Sequence, residues 1–397
     1  MSTHMATQPV LSYAAVDAAR DERALAVVIF ANLGFYHLAR LRALAQVWPI
    51  KAIELAAKQK LYGWEVDKTG YDVVTLHEGA FEERRTFWGK VRLTQLLVRK
   101  LNEIQPRALL IPGYSDICSV GAALWGRLRH ARTVMMFEST EIDRPRVWYR
   151  ELVKRVLVRA LFDFGFVGGQ RTSDYLQKLG MPARRIVRAY DIVDNAFFAR
   201  GADQVRRTSG PGDWGLPGEY FLYVGRLAPE KNLERLLRAY RQYVERGGEW
   251  RLVLVGMGPQ ERQLRSAADS LGLGGHVHFA GFKNGRDLFP YYAFASCFIL
   301  PSVREPWGLV VNEAMASGLP VLVSHRCGCA PELVHEGING YMLDPVDETG
   351  LAERLLSMSL LPKELTAAMG HASRDIVSDF GPEQWAASVS EVLSRHD

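Results

Sequence analysis

The chain has 397 residues, 48% hydrophobic and 23% charged, with four cysteines and a net charge of +5. That length exceeds the roughly 250–300 residues at which a single core stops growing, so one small binding module is excluded and two domains are expected. No window approaches about 18 uninterrupted apolar residues, residues 1–24 lack a signal-peptide run, and four scattered cysteines make no disulfide framework, so a reducing cytoplasm is the expected location.

Short apolar runs alternate with longer amphipathic stretches, the pattern of βα units around a parallel sheet. In the first half the runs at 24–30, 50–55, 72–77, 108–111, 133–137 and 164–167 read as strands, and 38–47, 86–104, 117–128, 147–161 and 173–179 as helices. Residues 205–218 (VRRTSGPGDWGLPG) are rich in Gly and Pro without periodicity and read as a linker. Strands are then expected at 220–224, 251–255, 277–280, 297–300, 321–324 and 341–343, each followed by a helical stretch, and a last helix at 382–393. The expected domains are 1–204 and 219–379, each a Rossmann-like doubly wound α/β domain, with 380–397 packing back on the first and a cleft between the two. Ligands of such sheets sit beyond the carboxyl ends of the strands. Residues 1–200 carry a net +10 and 201–397 a net −5, which suggests that the first half meets something anionic.

The chemistry concentrates in the second half. After the strand at 220–224 come Gly225, Arg226 and, ahead of a helix, Lys231; two cations beside free amide groups form a diphosphate site. Gly256-Met257-Gly258 falls short of a dinucleotide fingerprint and reads as a tight turn near a bound nucleotide. In ILPSVREPWGLVVNEAMASG, Glu305 stands in a loop and Glu313 on the following helix, while the amides of Gly308, Leu309 and Val310 open that helix and can receive an anion. Two carboxylates flanking a phosphate-binding helix start can grip sugar and ribose hydroxyls. Cys327 and Cys329 lack the further ligands of a metal site, so no metal and no cofactor is expected there.

The run from Gly225 to Pro345 resembles the carboxyl domain of retaining GT-B glycosyltransferases of the group-1 family (family four). The resemblance rests on Gly225-Arg226, Glu230-Lys231-Asn232, Gly256 and Gly258, Gly281, Pro301-Ser302, Glu305 spaced to Glu313, Ala314-Met315-Ala316, Gly318, Pro320-Val321, Pro331-Glu332-Leu333-Val334 and Asn339-Gly340. It implies a GT-B architecture and metal-independent transfer of a sugar, with retention, from a nucleotide-diphosphate sugar to a hydroxyl acceptor, in polysaccharide, lipopolysaccharide or other glycoconjugate assembly. It further implies that Arg226 and Lys231 bind the diphosphate, Glu313 the ribose and Glu305 the donor sugar, with Phe282 by the base. The first half resembles the family less. Gly34 stands at the place of a glycine-rich loop and is a donor-binding candidate, with His37 and Arg40 after it, and Glu138 stands where many relatives place a His; His37, Arg40 and Glu138 are the acceptor-side candidates, Glu138 also a catalytic one.

Arg146, Arg150 and Lys154 recur at the spacing of one helical stripe, with Leu152, Val153, Val156 and Leu157 on another. Two readings stand: the apolar stripe faces the core and the basic one water, or the helix meets an anionic membrane surface and a lipid-linked acceptor on the inner face of the cytoplasmic membrane. A second basic stretch runs from Arg84-Arg85 to Lys100. Nucleic acid is not expected, since no stacking platform interleaves these charges. The rival functions are a membrane-surface nucleotide-sugar-binding scaffold without turnover and a GT-B sugar-nucleotide epimerase.

Overall fold

The computed structural model describes residues 25–58, 67–79, 86–143 and 146–395. Residues 1–24, 84–85, 144 and 145, which entered the sequence reading, lie outside the described residues. The chain divides into two compact units: the described residues up to Met136, Leu152–Gly165 and those from Ala386 form one, and Phe137–Glu151 with Phe166–Trp385 the other.

Elements run β1 (Ala26–Phe30), α1 (Phe35–Val47), β2 (Ile50–Glu54), β3 (Val73–Thr75), α2 (Phe87–Ile104), β4 (Ala108–Pro112), α3 (Ile117–Leu128) and β5 (Arg132–Phe137). They continue α4 (Trp148–Leu161), β6 (Phe164–Val167), α5 (Gln170–Lys178), β7 (Ile186–Arg188) and α6 (Asn195–Thr208). The strand order of this first sheet is β3-β2-β1-β4-β5-β6-β7. Its strand β1 is at most 3% exposed, because parallel strands take helices on both faces and read as unbroken apolar runs. The side chains of Thr86, Asp116 and Asp194 accept hydrogen bonds from the first-turn amides of α2, α3 and α6, which fixes where those helices begin.

The second sheet is built from β8 (Tyr220–Val224), α7 (Leu233–Glu245), β9 (Arg251–Val255), α8 (Glu261–Ser270), β10 (Val277–Gly281), α9 (Phe289–Phe294) and β11 (Cys297–Leu300). Then follow α10 (Leu309–Ala316), β12 (Val321–Ser324), α11 (Ala330–Leu333), β13 (Gly340–Leu343), α12 (Glu348–Ser359), α13 (Lys363–Val377) and α14 (Pro382–Ser394). The strand order is β10-β9-β8-β11-β12-β13. Leu233, Leu236, Leu237, Tyr240 and Tyr243 recur at helical spacing and bury one face of α7, which packs on α12. Phe166 meets the fully buried Trp385 of α14 edge to face. At the other end of α14, Arg132 donates to the carbonyls of Val392 (2.9 Å) and Leu393 (2.8 Å), a cation on a helix carboxyl end.

Three local readings of the sequence are corrected. The stretch at 205–218 read as a linker without periodicity holds the last turn of α6 and a 3-10 turn at Pro211–Trp214. Helix α4 begins at Trp148, so Arg146 is not on its stripe; the Arg146 guanidinium donates to the carbonyls of Thr140 and Glu141 and lies 4.3 Å over the Tyr175 ring. Finally, Leu152, Val153 and Val156 do not face the core: each is more than half exposed.

Candidate functional site

In the second sheet the chain lays down β8, β9 and β10 outward in one direction, then returns to lay β11, β12 and β13 on the other side. The neighbours β8 and β11 therefore flank a topological switch point, where loops diverge and leave a crevice at the carboxyl ends of the strands. Arg226 follows β8 and Glu305 follows β11, so the two loops that carry the charged candidates are the ones that border this crevice.

Backbone bonds lock these loops together. Leu227 donates to Met257 O (2.9 Å), Gln260 to Leu227 O (3.0 Å), Val303 to Glu230 O (2.9 Å) and Gly328 to Glu305 O (2.9 Å). Gly258 has to be glycine: a Cβ there would lie 2.3 Å from the Leu227 carbonyl oxygen. The Asn232 side chain donates to Pro301 O (3.1 Å) and Pro345 O (2.7 Å), pinning the turn after Lys231.

Within this frame Lys231 and Glu305 form an ion pair whose side chains are 15% and 13% exposed, and Arg226 pairs with Glu230. The Ser302 hydroxyl lies 3.4 Å from the Glu305 carboxylate. Burial raises the Glu230 pKa, but a backbone hydrogen bond, the Arg226 guanidinium and the Lys231 charge outweigh it, and the net shift is downward. The four residues make a compact, preorganised charge cluster with two cations.

Gly308 supplies the residue before α10 with φ of +109°, a left-handed conformation that L side chains rarely adopt. The chain thereby turns so that Leu309 and Val310 open the helix, and their amides precede any helical acceptor. Trp307, 3% exposed, donates to Asn312 Oδ1 (3.0 Å) and closes the loop. Glu313 is not a solvated helix residue: it is 1% exposed, and its carboxylate accepts from the Tyr292 hydroxyl at 2.7 Å. Phe282, 40% exposed, follows β10 on the outer side of β9. Cys327 and Cys329 are buried free thiols whose pKa burial pushes well up.

The remaining candidates are placed as follows. Gly34 precedes α1, and its amide donates to His37 Nδ1 (2.9 Å). Burial, and then the Arg40 guanidinium, push His37 down to about 3, so the ring is neutral and Nδ1 is an acceptor. Arg40 is 1% exposed. The loop before Gly34 is held by Glu54, fully buried at the end of β2, which accepts from the Leu33 amide (2.8 Å), from Thr75 (3.0 Å) and from Lys68. Glu138 is exposed, directly after β5, and belongs to no helix.

Sequence reasoning passed over Tyr292, Trp307 and Glu54. A buried tyrosine hydroxyl needs a partner, and a glutamate inside an apolar helix such as LVVNEAMA needs one equally, so that pairing had a signal. Glu54 in IKAIE had none. A cavity of about 660 Å³ opens at the opposite, amino-terminal ends of the strands of the second sheet, beside Trp250, Ser296 and Pro320. Its charged groups are spent on one another, with Asp203 accepting from Arg206 (2.9 Å) and Arg374 (2.6 Å).

Residues 212–375 match the family model of the glycosyl transferases group 1. Among curated proteins, a glycosyltransferase of Methanocaldococcus jannaschii is 39% identical over 139 residues, 34% of this chain and 35% of that protein. A sulfoquinovosyl transferase of Arabidopsis thaliana is 28% identical over 355 residues, 81% of this chain and 66% of that one. A D-inositol 3-phosphate glycosyltransferase of Saccharomonospora viridis is 31% identical over 229 residues, 53% of this chain and 52% of that one. The matched segments thus span between a third and two thirds of these relatives' own length. Among solved structures, HepE of Anabaena in complex with UDP is similar with a TM-score of 0.74 at 18% identity, covering 94% of this chain and 99% of that one. Sucrose-phosphate synthase of Thermosynechococcus elongatus gives 0.74 at 19% identity, covering 93% and 98%. With the two parallel sheets described above, these likenesses show the α/β GT-B fold.

Proposed function

We propose, from the premise that this chain belongs to the glycosyl transferases group 1 through residues 212–375, that it moves a sugar from a nucleotide-diphosphate donor to a hydroxyl acceptor with retention of configuration. The observation that carries this reading is the cluster of Arg226, Glu230, Lys231 and Glu305 at the switch point of the second sheet. HepE of Anabaena, which has the same fold, is solved with UDP and with UDP-glucose, which supports a nucleotide sugar as the donor.

In this reading Arg226, Lys231 and the amides of Gly308, Leu309 and Val310 receive the diphosphate. As the bond from the anomeric carbon to the diphosphate oxygen breaks, negative charge grows on that oxygen, and fixed cations and dipoles stabilise it without reorganising. The acceptor oxygen bonds to the anomeric carbon on the face the diphosphate leaves, and its proton passes to the departing phosphate oxygen. Two side-chain cations supply the charge compensation, so the reading assigns no metal and no cofactor. Glu305 holds the donor sugar and orients Lys231. Glu313, on the helix that opens at the diphosphate-binding amides, takes the ribose hydroxyls. Gly258 and Phe282 lie toward the base. Gly34 belongs to the donor-binding residues, and His37 and Glu138 are the acceptor-side residues, with Arg40 too buried to reach an acceptor itself; neutral His37 can donate through Nε2.

Glycoconjugate assembly at the inner face of the cytoplasmic membrane, on a lipid-linked acceptor, is the setting this reading favours. Among the described residues no helix is long and apolar enough to cross a membrane. The test is release of nucleoside diphosphate from candidate donors, with and without a chelator. Donor-dependent release that Glu305→Gln abolishes supports the reading. Donor binding without release in any acceptor extract would instead fit the scaffold, and loss of activity on chelation would remove the metal-free mechanism.

A further inference from the structure

Helix α5 begins at Gly169 without a side-chain cap from its own segment. Glu332 of α11 supplies one, its carboxylate accepting from the Gln170 amide. Burial holds the Glu332 carboxyl above its ordinary range, outweighing the Gln170 amide and the Arg171 charge. The approach is close: a Cβ at Gly169 would lie 2.8 Å from the Trp307 ring and run into the Glu332 carboxylate, and one at Gly168 would lie 3.0 Å from the same ring. Next to Gln170, Arg171 Nη1 donates to the Cys327 carbonyl at 2.9 Å. These contacts fall on the two loops that frame Glu305. Cys327 pairs with Glu305 in a parallel bridge, the Gly328 amide donates to Glu305 O at 2.9 Å, and the Cys329 amide donates to Trp307 O at 3.2 Å. The two backbones leave no slack, since a Cβ at Gly328 would overlap the Pro306 carbonyl oxygen. A shift of Cys327 therefore moves Glu305 with it. The buried Cys327 thiol feels the charges of Glu305, Lys231 and Arg171 together, which puts the Arg171 guanidinium in the neighbourhood of the Lys231–Glu305 pair.

We propose that Arg171 is a positioning residue for the donor sugar: through the Cys327 carbonyl it sets the backbone segment against which Glu305 is held. All of these residues belong to the second unit. A guanidinium suits the task, because it stays charged at every working pH and its planar fork loses little freedom for each hydrogen bond it makes. The inference rests on the assignment of Glu305 to the donor sugar made above, and it adds a residue that acts through another and does not itself meet the reacting atoms. The diphosphate side is seated by other bonds, those of the Leu227 amide to Met257 O and of the Asn232 side chain to Pro301 O and Pro345 O. Loss of Arg171 therefore acts on the sugar and spares the diphosphate.

The experiment is calorimetry of the full chain with UDP-, GDP-, ADP- and dTDP-glucose, each beside its free nucleoside diphosphate, with turnover read as nucleoside diphosphate release. In Arg171→Met the nucleoside diphosphate should bind within about twofold of wild type, while the ratio of nucleotide-sugar to nucleoside-diphosphate affinity falls about tenfold, the worth of one charge-assisted hydrogen bond. The kcat for release should fall about 10- to 100-fold, because a misplacement of about 1 Å at a reacting group has an effect of that size. Arg171→Lys, which keeps a cationic donor, should recover most of both losses. Gly169→Ala forces Trp307 and Glu332 away from α5 and should show the same split, which keeps the proposal open to refutation if Arg171→Met does not fold. Variants that melt earlier yet keep the wild-type affinity ratio and kcat would overturn the proposal, since Arg171 would then be a structural tether alone. Nucleoside diphosphate binding that falls as far as nucleotide-sugar binding would overturn it as well. Failure of the donor reading shows in a different protein: a wild-type chain that binds no nucleotide sugar would sink that reading and this inference together.

Discussion

Replacing Glu305 by glutamine separates the two things the Lys231–Glu305 pair does. The pair is nearly buried, at 15% and 13% exposure. Removing one partner of a fully buried pair costs about 3–5 kcal/mol, and an exposed pair contributes about 0–1 kcal/mol, so Glu305→Gln should destabilise the second unit by about 2–3 kcal/mol. For a folding body of its size that is a fall of about 5–10 °C in melting temperature. The lost carboxylate leaves Lys231 more available to an anion. Nucleoside diphosphate alone should therefore bind as tightly as before or more tightly, while sugar transfer falls about a hundredfold, the scale on which a positioned electrostatic partner acts. Calorimetry with the free nucleotide, a melting curve and a turnover assay read the three quantities. A double cycle with Lys231→Met should give a coupling above about 1 kcal/mol between the two positions. Unchanged stability with a coupling near zero would show that the pair does not form, and weaker diphosphate binding with turnover intact would refute the assignment of Glu305 to the sugar.

Three further outcomes follow from the same geometry. Tyr292→Phe removes the hydroxyl that Glu313 accepts at 2.7 Å and should cost about 1.5–3 kcal/mol of stability by denaturant unfolding, with weaker binding of nucleotides that keep the ribose hydroxyls; an effect below about 0.5 kcal/mol would contradict that bond. Gly258→Ala places a methyl group 2.3 Å from the Leu227 carbonyl and should destabilise by about 1–3 kcal/mol, which thermal melting reads directly. His37 is held at about 3 against an ordinary 6.5, so below pH 6.5 the unfolded chain binds a proton that the folded chain refuses. Its contribution is neutral above that pH, and stability is lost as pH falls toward 3, by up to about 1.4 kcal/mol per pH unit. Urea unfolding at pH 7.5 and pH 5 should show that slope in the wild type and lack the His37 part of it in His37→Gln.

Much of this fold is legible in the sequence because parallel strands buried on both faces announce themselves as short apolar runs, and β6, β8, β9, β11 and β12 begin and end where those runs do. Strand β7, IVR, is too short and too exposed at Arg188 to stand out. The end of α6 reads as linker in the sequence because its signals are tertiary. Arg206 looks like a solvated loop residue, yet its guanidinium donates to the carbonyls of Ala293 (2.7 Å) and Ser317 (2.8 Å). Helix α4 stays open in the sequence for a different reason: amphipathic periodicity states that there are two faces and does not say which one is turned inward. In the candidate site, two short segments carry Arg226 with Lys231 and Glu305 with Glu313, and the roles given to them come from the family resemblance. The partners that fix them, above all Tyr292 for Glu313, come from a distant element and become visible only when the sheet brings the segments together.

The most direct test of the central claim is a calorimetric titration of UDP-, GDP-, ADP- and dTDP-sugars into the wild-type chain and Arg226→Ala. The account predicts that one donor class binds the wild type and that the variant binds it about 10- to 100-fold more weakly, the worth of a charge-assisted hydrogen bond to phosphate. Binding of no nucleotide sugar, or binding that Arg226→Ala leaves unchanged, would contradict it.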